Sequence, residues 1–274
     1  MKKLFLLSIC LLFLFCCKTN NRLHLTDSVR KVDKEHRNPP PGTVWIKDSI
    51  YMDRCEVRNL DYLEYVQWLK QNDPVNYEKA LPDSTVWRYA LTYNEPYVRY
   101  YFFHPAYRNY PVVGVSYEQV MNYCKWRTDR VKEFIKSKKY KNTIEKTLGV
   151  KNFYYRLPTK AEWEYAAYAE SGEVYGFTSM QAKDNSPNFN VKEICMLGYE
   201  ENFADVTKPV IYKKPNRFGL YNTIGNVAEM IMDKGVCKGG SWMNSIRDCE
   251  ISDSIKYNKQ TAWLGFRCVC VFTK

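Results

Sequence analysis

Histidine is scarce: the 274 residues carry three, His24, His36 and His104. None lies in a cluster with the others or with cysteine at ligand spacing, so zinc and two-histidine iron sites lack their donors. The cysteines include no Cys-x-x-Cys pair, and no Ser-His-Asp set or pair of carboxylates can be named. Internal repeats are absent, and so is a second linker. Acid is the minority charge, 30 Asp and Glu against 41 Lys and Arg, for a net +11. A basic balance suits nucleic acid or an anionic membrane surface.

What is present begins with an export signal. Lys2 and Lys3 precede an apolar run from Leu4 to Phe15, too short to span a bilayer. The run ends in Leu14-Phe15-Cys16-Cys17, which resembles a bacterial lipobox. Cys17 fits the lipidated position, with Leu14 three residues before it and the small Cys16 next to it. An ordinary cleaved signal with incidental cysteines is the alternative. Acylation at Cys17 would supply enough chain for stable anchoring. Residues 18–40 are polar and end in Pro39-Pro40-Pro41-Gly42, a composition that forms a tether rather than a core. An exported, tethered protein has little access to nucleic acid, so the basic balance reads as a solvated face near lipid.

From about Thr43 the composition changes, and aromatics, 16% of the whole chain, become frequent. Residues 41–274 are enough for one large domain. The charge run Lys132–Lys146 reads as a solvated helix end and loop. Seven cysteines follow the tether: Cys55, Cys124, Cys195, Cys237, Cys249, Cys268 and Cys270. An odd number in an oxidising compartment leaves at least one free or intermolecular.

Three helices are expected. Asn59 is read as an N-cap ahead of Tyr62, Tyr65, Val66 and Leu69 at helical spacing. Ser116–Gln119 and Thr159–Glu162 are capping-box patterns, the first followed by Val120, Cys124 and Trp126, the second by Trp163, Ala166 and Ala167. Thr43–Ile46, Val112–Val115 and Phe266–Val271 read as short strands. The alternation is too sparse for a parallel βαβ sheet, which leaves one α+β domain rich in loops.

Tyr51–Asn59 (YMDRCEVRN), Pro111–Tyr117 followed by Cys124-Lys125-Trp126, Arg156–Ala167 (RLPTKAEWEYAA), Asn216–Met230 (NRFGLYNTIGNVAEM), Gly239–Trp242 and Leu264–Cys268 together resemble the sulfatase-modifying-factor, or formylglycine-generating-enzyme, family. The resemblance implies a C-type-lectin-like α+β fold with little regular secondary structure. Leu81–Tyr110 is similar to the matching stretch of Bacteroidetes gliding-motility and type IX secretion lipoproteins with this domain. That likeness implies an outer-membrane, periplasm-facing protein whose partners are envelope or secretion-machinery proteins.

The family's catalysts hold Cu(I) on two cysteines beyond the Gly-Gly-Ser motif, and soft thiolates suit that ion. Here the first falls at Asn244, a hard donor, and the second at Cys249. Ala228 and Met230 stand where the family carries tryptophan. Cys237 is the other thiol that a folded-back loop would bring. Copper is therefore not expected; Cys249 and Ser241 would be the catalytic residues of an active enzyme. The resemblance also implies a Cys124–Cys268 disulfide and a structural calcium on Asn222, Gly225, Val227 and Glu229, oxygen donors of the kind Ca²⁺ prefers. An Asn-capped turn with a solvated Glu is the alternative.

The sequence thus reads as a lipid-anchored envelope protein whose domain binds or scaffolds without catalysis. A copper-dependent oxidase making formylglycine from a substrate cysteine is the first alternative, and a lectin-like glycan or peptide binder the second. Trp87, Tyr93, Tyr97, Tyr100, Tyr101 and Phe102 form the candidate contact surface, unless they fill the domain's own core.

Overall fold

Aromatic and β-branched residues open the domain as a hairpin. Strand β1 (Thr43–Lys47) turns at Asp48, whose φ is 44°, into β2 (Ile50–Asp53). The computed structural model describes residues 39–88, 93–136, 152–169, 189–192 and 206–273. The leader, Cys17, the tether up to residue 38, Cys195 and the later part of the charge run lie outside the described residues.

Helix α1 (Asn59–Asn72) follows, then α2 (Pro74–Ala80), a 3₁₀ turn at Ser84–Trp87, and α3 (Glu95–Tyr100). Arg58 rather than Asn59 is the cap residue of α1, since Asp61 accepts from its backbone N–H at 3.1 Å. The Asn59 side chain instead ties α1 to the aromatic stretch, its buried amide donating to the carbonyls of Tyr101 and Tyr107. The expected face of α1 (Tyr62, Tyr65, Val66, Leu69) is buried.

The capping box at Ser116 opens α4 (Tyr117–Lys136): Ser116 N–H donates to Gln119 Oε1 at 2.7 Å, and Gln119 N–H returns to Ser116 Oγ at 3.2 Å. Helices α1 and α4 meet through rings, with Tyr62 stacked on Tyr123 at 5.5 Å and Tyr65 against Trp126 at 5.3 Å. Each such ring removes roughly 150–250 Å² from water, about 4–6 kcal/mol at the usual area coefficient.

Strand β3 (Asn152–Arg156) leads into α5 (Lys160–Tyr168), where the box at Thr159 forms with Glu162 and the helix ends on Ala169 in the left-handed region. The larger sheet runs β1-β2-β8-β3, antiparallel, with β8 (Val269–Thr273) in its interior. A second sheet, ordered β6-β5-β4-β7, joins Ile255–Lys256, Val236–Lys238, Ala228–Met230 and Leu264–Gly265; β4 and β7 are parallel.

Two expected strands change. Val112–Val115 forms no ladder, because Gly114 has φ 73° and its backbone bonds to Asp83 and Thr261 in irregular segments. The strand expected at Phe266–Val271 begins late: Phe266–Cys268 is an irregular linker after β7, and β8 starts at Val269. Phe266 O and Cys268 O accept from Val57 and Asp53, and Cys268 N–H donates to the Asp53 carboxylate, so no regular partner strand lies alongside.

Between the sheets and helices sits a buried ion pair. Arg127 holds Asp53 through both guanidinium nitrogens, at 2.7 and 2.8 Å, while its guanidinium carbon lies 4.2 Å from the centre of the Tyr155 ring. The result is one mixed α and β fold with little regular secondary structure.

Candidate functional site

The Gly-Gly-Ser segment turns sharply because Gly239 and Gly240 both take positive φ, 86° and 66°. A Cβ on Gly240 would stand 2.1 Å from Cys249 Sγ, so the turn rests directly on that thiol. A methyl-sized addition has no room there. Ser241 follows, buried. Its hydroxyl donates to Asn244 Oδ1 at 2.7 Å and accepts from Met243 N–H at 3.2 Å, while Asn244 N–H returns to Ser241 O at 3.0 Å. The side chain standing at the first copper-ligand position thus closes a turn with the family's serine.

A 3₁₀ turn over Ile246–Cys249 directs Cys249 inward, where its thiol donates to Ser245 O at 3.1 Å. Burial, helped by the Asp248 carboxylate, pushes this thiol up to about 12. Cys237 lies on β5, and its thiol donates to Ile255 O at 3.4 Å. Burial and the Glu229 carboxylate push it up to about 12 as well. The two sulfurs belong to separate core clusters. With an amide whose oxygen is already bonded at one ligand position and a single thiol at the other, the residues present do not fit a Cu(I) ion.

Strand β4 carries Glu229 into the centre of the molecule. Arg267 Nε donates to its Oε2 at 2.6 Å, Arg267 Nη2 donates to Oε1, and Trp163 Nε1 donates to Oε2 at 2.7 Å. The same guanidinium reaches Tyr221 O at 2.8 Å and Asp53 O at 3.2 Å. Glu229 and Arg267 are 1% and 0% exposed, so each is the other's neutralising charge. Asn222, with φ 50°, points its amide nitrogen at Glu56 Oε2 and Val210 O. Gly225 and Val227 lie buried on the same turn. The four residues expected to hold calcium are neighbours, but Glu229 already has a guanidinium on both oxygens and Asn222 presents a donor. As placed, they do not fit a calcium ion, which would sit beside a like charge. Among the described residues no group of three or more His, Cys, Asp or Glu is placed to hold a metal.

Glu56 escaped the sequence reading. Its carboxyl is 1% exposed and takes amide hydrogens from Asn226 at 2.8 Å and Asn222 at 3.1 Å. Desolvation first, opposed by Arg267 and reinforced by Glu229, raises it to about 8. The signal available in the sequence was slight: one acid shortly after the apolar strand β2 ends on Asp53.

Cys124 and Cys268, the pair implied by the resemblance, face each other as buried thiols with sulfurs 3.6 Å apart.

The aromatic insert divides. Trp87 and Tyr101 are core residues, 1% and 3% exposed, with ring centroids 4.5 Å apart and Trp87 stacked on Trp242 at 6.3 Å. Tyr97 packs partly buried against them, and Phe102 lies against the α1 side of the core. Tyr93 and Tyr100 face outward. Phe103, not singled out in the sequence, is 52% exposed beside them.

The family model described as the sulfatase-modifying factor enzyme 1-like domain matches residues 21–271. A protein named chaperone protein LppX from Paenibacillus barcinonensis is 29% identical over 185 residues, 54% of this chain and 64% of that protein. The protein named inactive C-alpha-formylglycine-generating enzyme 2 of Bos taurus is 26% identical over 145 residues, 50% of this chain and 40% of that protein. The chain therefore aligns with less than two thirds of the length of either relative. Among solved structures, Treponema denticola variable protein 1 superposes with a TM-score of 0.51 at 17% identity, covering 84% of this chain and 91% of that one. That likeness concerns the fold alone.

Proposed function

The chain belongs to the sulfatase-modifying-factor family, and from that premise we propose that it is a lipid-anchored envelope protein whose domain binds and holds partners without making formylglycine. One observation carries the non-catalytic reading: Asn244 stands at the first copper-ligand position, and its side-chain oxygen is bonded to Ser241 Oγ at 2.7 Å. Fold alone does not bring activity with it, and the Bos taurus relative carries a name that calls it inactive, which supports the reading.

The anchor rests on the leader and Cys17. Among the described residues no helix is long and apolar enough to cross a membrane, and a relative that carries a chaperone name is compatible with a holding role in export. The periplasmic face of the outer membrane, and partners in gliding motility or type IX secretion, remain the finer part of this proposal. They rest on the likeness over Leu81–Tyr110.

The test is direct. Full-length protein loaded with Cu(I) and incubated with oxygen and a Cys-x-Pro-x-Arg peptide is expected to yield no aldehyde; aldehyde formation sinks the reading. Crosslinking in intact cells followed by pull-down is expected to recover envelope or secretion components. Recovery of none of them removes the scaffold role.

A further inference from the structure

The outward side of the aromatic insert is built as one rigid surface. Helical hydrogen bonds run on past α3, Tyr101 N–H to Tyr97 O and His104 N–H to Tyr100 O. Residues three and four apart therefore share a face, and Pro96, Arg99, Tyr100, Phe103 and His104 are exposed. Tyr97 and Tyr101, on the opposite side, root the stretch against Trp87. Tyr100 and Phe103 are 50% and 52% exposed on a support that does not need to order on binding.

A second segment is fastened alongside. Val210 N–H donates to Asn109 O at 2.8 Å, and Tyr101 and Thr207 hydroxyls share a bond of 2.8 Å. This segment exposes Ile211, at 57%, together with Lys213 and Lys214. Neither 96–109 nor 206–217 contains an Asp or Glu. Exposed Arg99 and Arg108 on the first join the lysines on the second.

Arginine, tyrosine and phenylalanine also serve protein interfaces, but lysine is depleted there, and cations with no acid among them in either segment suit an anionic membrane–water boundary. The chain's route agrees. Arg54 N–H bonds Gly42 O at 3.0 Å and Tyr221 N–H bonds Arg54 O at 2.7 Å, so the domain's first residues lie beside Tyr221, four positions beyond the second segment.

We propose that the surface carrying Arg99, Tyr100, Phe103, Arg108, Ile211 and Lys214 rests on anionic phospholipid headgroups and fixes the domain's orientation on the membrane. The proposal rests on the anchored reading above. The cations sit over the headgroups, each attracted by the negative surface. Tyr100, Phe103 and Ile211 enter the interfacial layer.

The full-length acylated protein is reconstituted on vesicles of phosphatidylcholine alone and of phosphatidylcholine mixed with phosphatidylglycerol, and amide exchange is followed. Slower exchange in 96–109 and 206–217 on the mixed vesicles only, lost at about 1 M salt where the Debye length is about 3 Å, is the expected result. Arg99→Gln with Arg108→Gln is expected to weaken the contact about thirtyfold and return exchange to its level on neutral vesicles. Equal exchange on both vesicles, or protection untouched by the double substitution, overturns the proposal. A photo-crosslinking residue at Phe103 that yields a protein adduct in cells instead of a lipid adduct overturns it as well. Flotation at high salt reads the acyl anchor separately: a chain that floats with both segments unprotected refutes only the orientation, and a chain that does not float refutes the anchor.

Discussion

Glu229 and Arg267 neutralise each other at the centre of the molecule, 38 positions apart in the chain and both out of reach of water. Removing one partner strands the other charge, which costs about 3–5 kcal/mol. Arg267→Met and Glu229→Gln are therefore expected to lower unfolding stability by that amount in urea titration. Millimolar calcium is expected to leave the melting temperature of the parent protein unchanged, since the carboxylate is already occupied. A calcium-dependent rise would mean that the ion displaces Arg267.

Glu56 makes stability depend on pH. Its carboxyl is held neutral in the folded state, with its midpoint raised from 4.5 to about 8, while the unfolded chain gives up the proton near the ordinary value. Between those two values the folded state binds one proton more, so stability falls as pH rises, by about 1.4 kcal/mol per unit for this group. Outside that window its contribution is flat. Glu56→Gln is expected to abolish the slope and to be more stable than the parent at the alkaline end. Denaturant midpoints across the window check both points.

How much of this was legible beforehand differs by element. The capping boxes at Ser116 and Thr159 were, because a Ser or Thr with Glu or Gln three positions later acts locally. The buried face of α1 was, through its period. Asn59 was misplaced because its amide serves Tyr101 and Tyr107, more than forty positions on, and a cap pattern carries no trace of that. Of the site, Asn244 and Cys249 could be placed by order of motifs. The Glu229–Arg267–Trp163 set could not, since its members come from three separate segments that only packing brings together. Glu56 stayed hidden for the same reason.

The thiols of Cys124 and Cys268 are in contact, and we expect them joined in protein recovered from an oxidising compartment. Such a bridge closes a loop of well over a hundred residues, worth about 4–5 kcal/mol on the chain-entropy account. Peptide mapping without reduction should find the pair. Cys124→Ser should lower stability under oxidising conditions by several kcal/mol and by much less under reducing ones.

Gly240 tests the packing of the Gly-Gly-Ser turn. Gly240→Ala drives a methyl into Cys249 and strains a positive φ, with an expected loss of about 1–3 kcal/mol. Combining it with Cys249→Ala should recover part of that loss but not all, because the Cβ of residue 249 would remain 2.9 Å away. Strict additivity in the double-mutant cycle would show that the two positions do not touch.

The place of β8 inside the larger sheet has a consequence for how the protein is born. β2 and β3 both pair with β8, not with each other, and Asp53 waits for Cys268, 215 positions later. Contacts so distant in sequence form slowly. The β1–β2 hairpin is local, but the sheet cannot be completed progressively, so a chain emerging during synthesis does so with β2 and β3 still lacking their shared partner. That delay leaves the edges of β2 and β3 needing protection until β8 arrives.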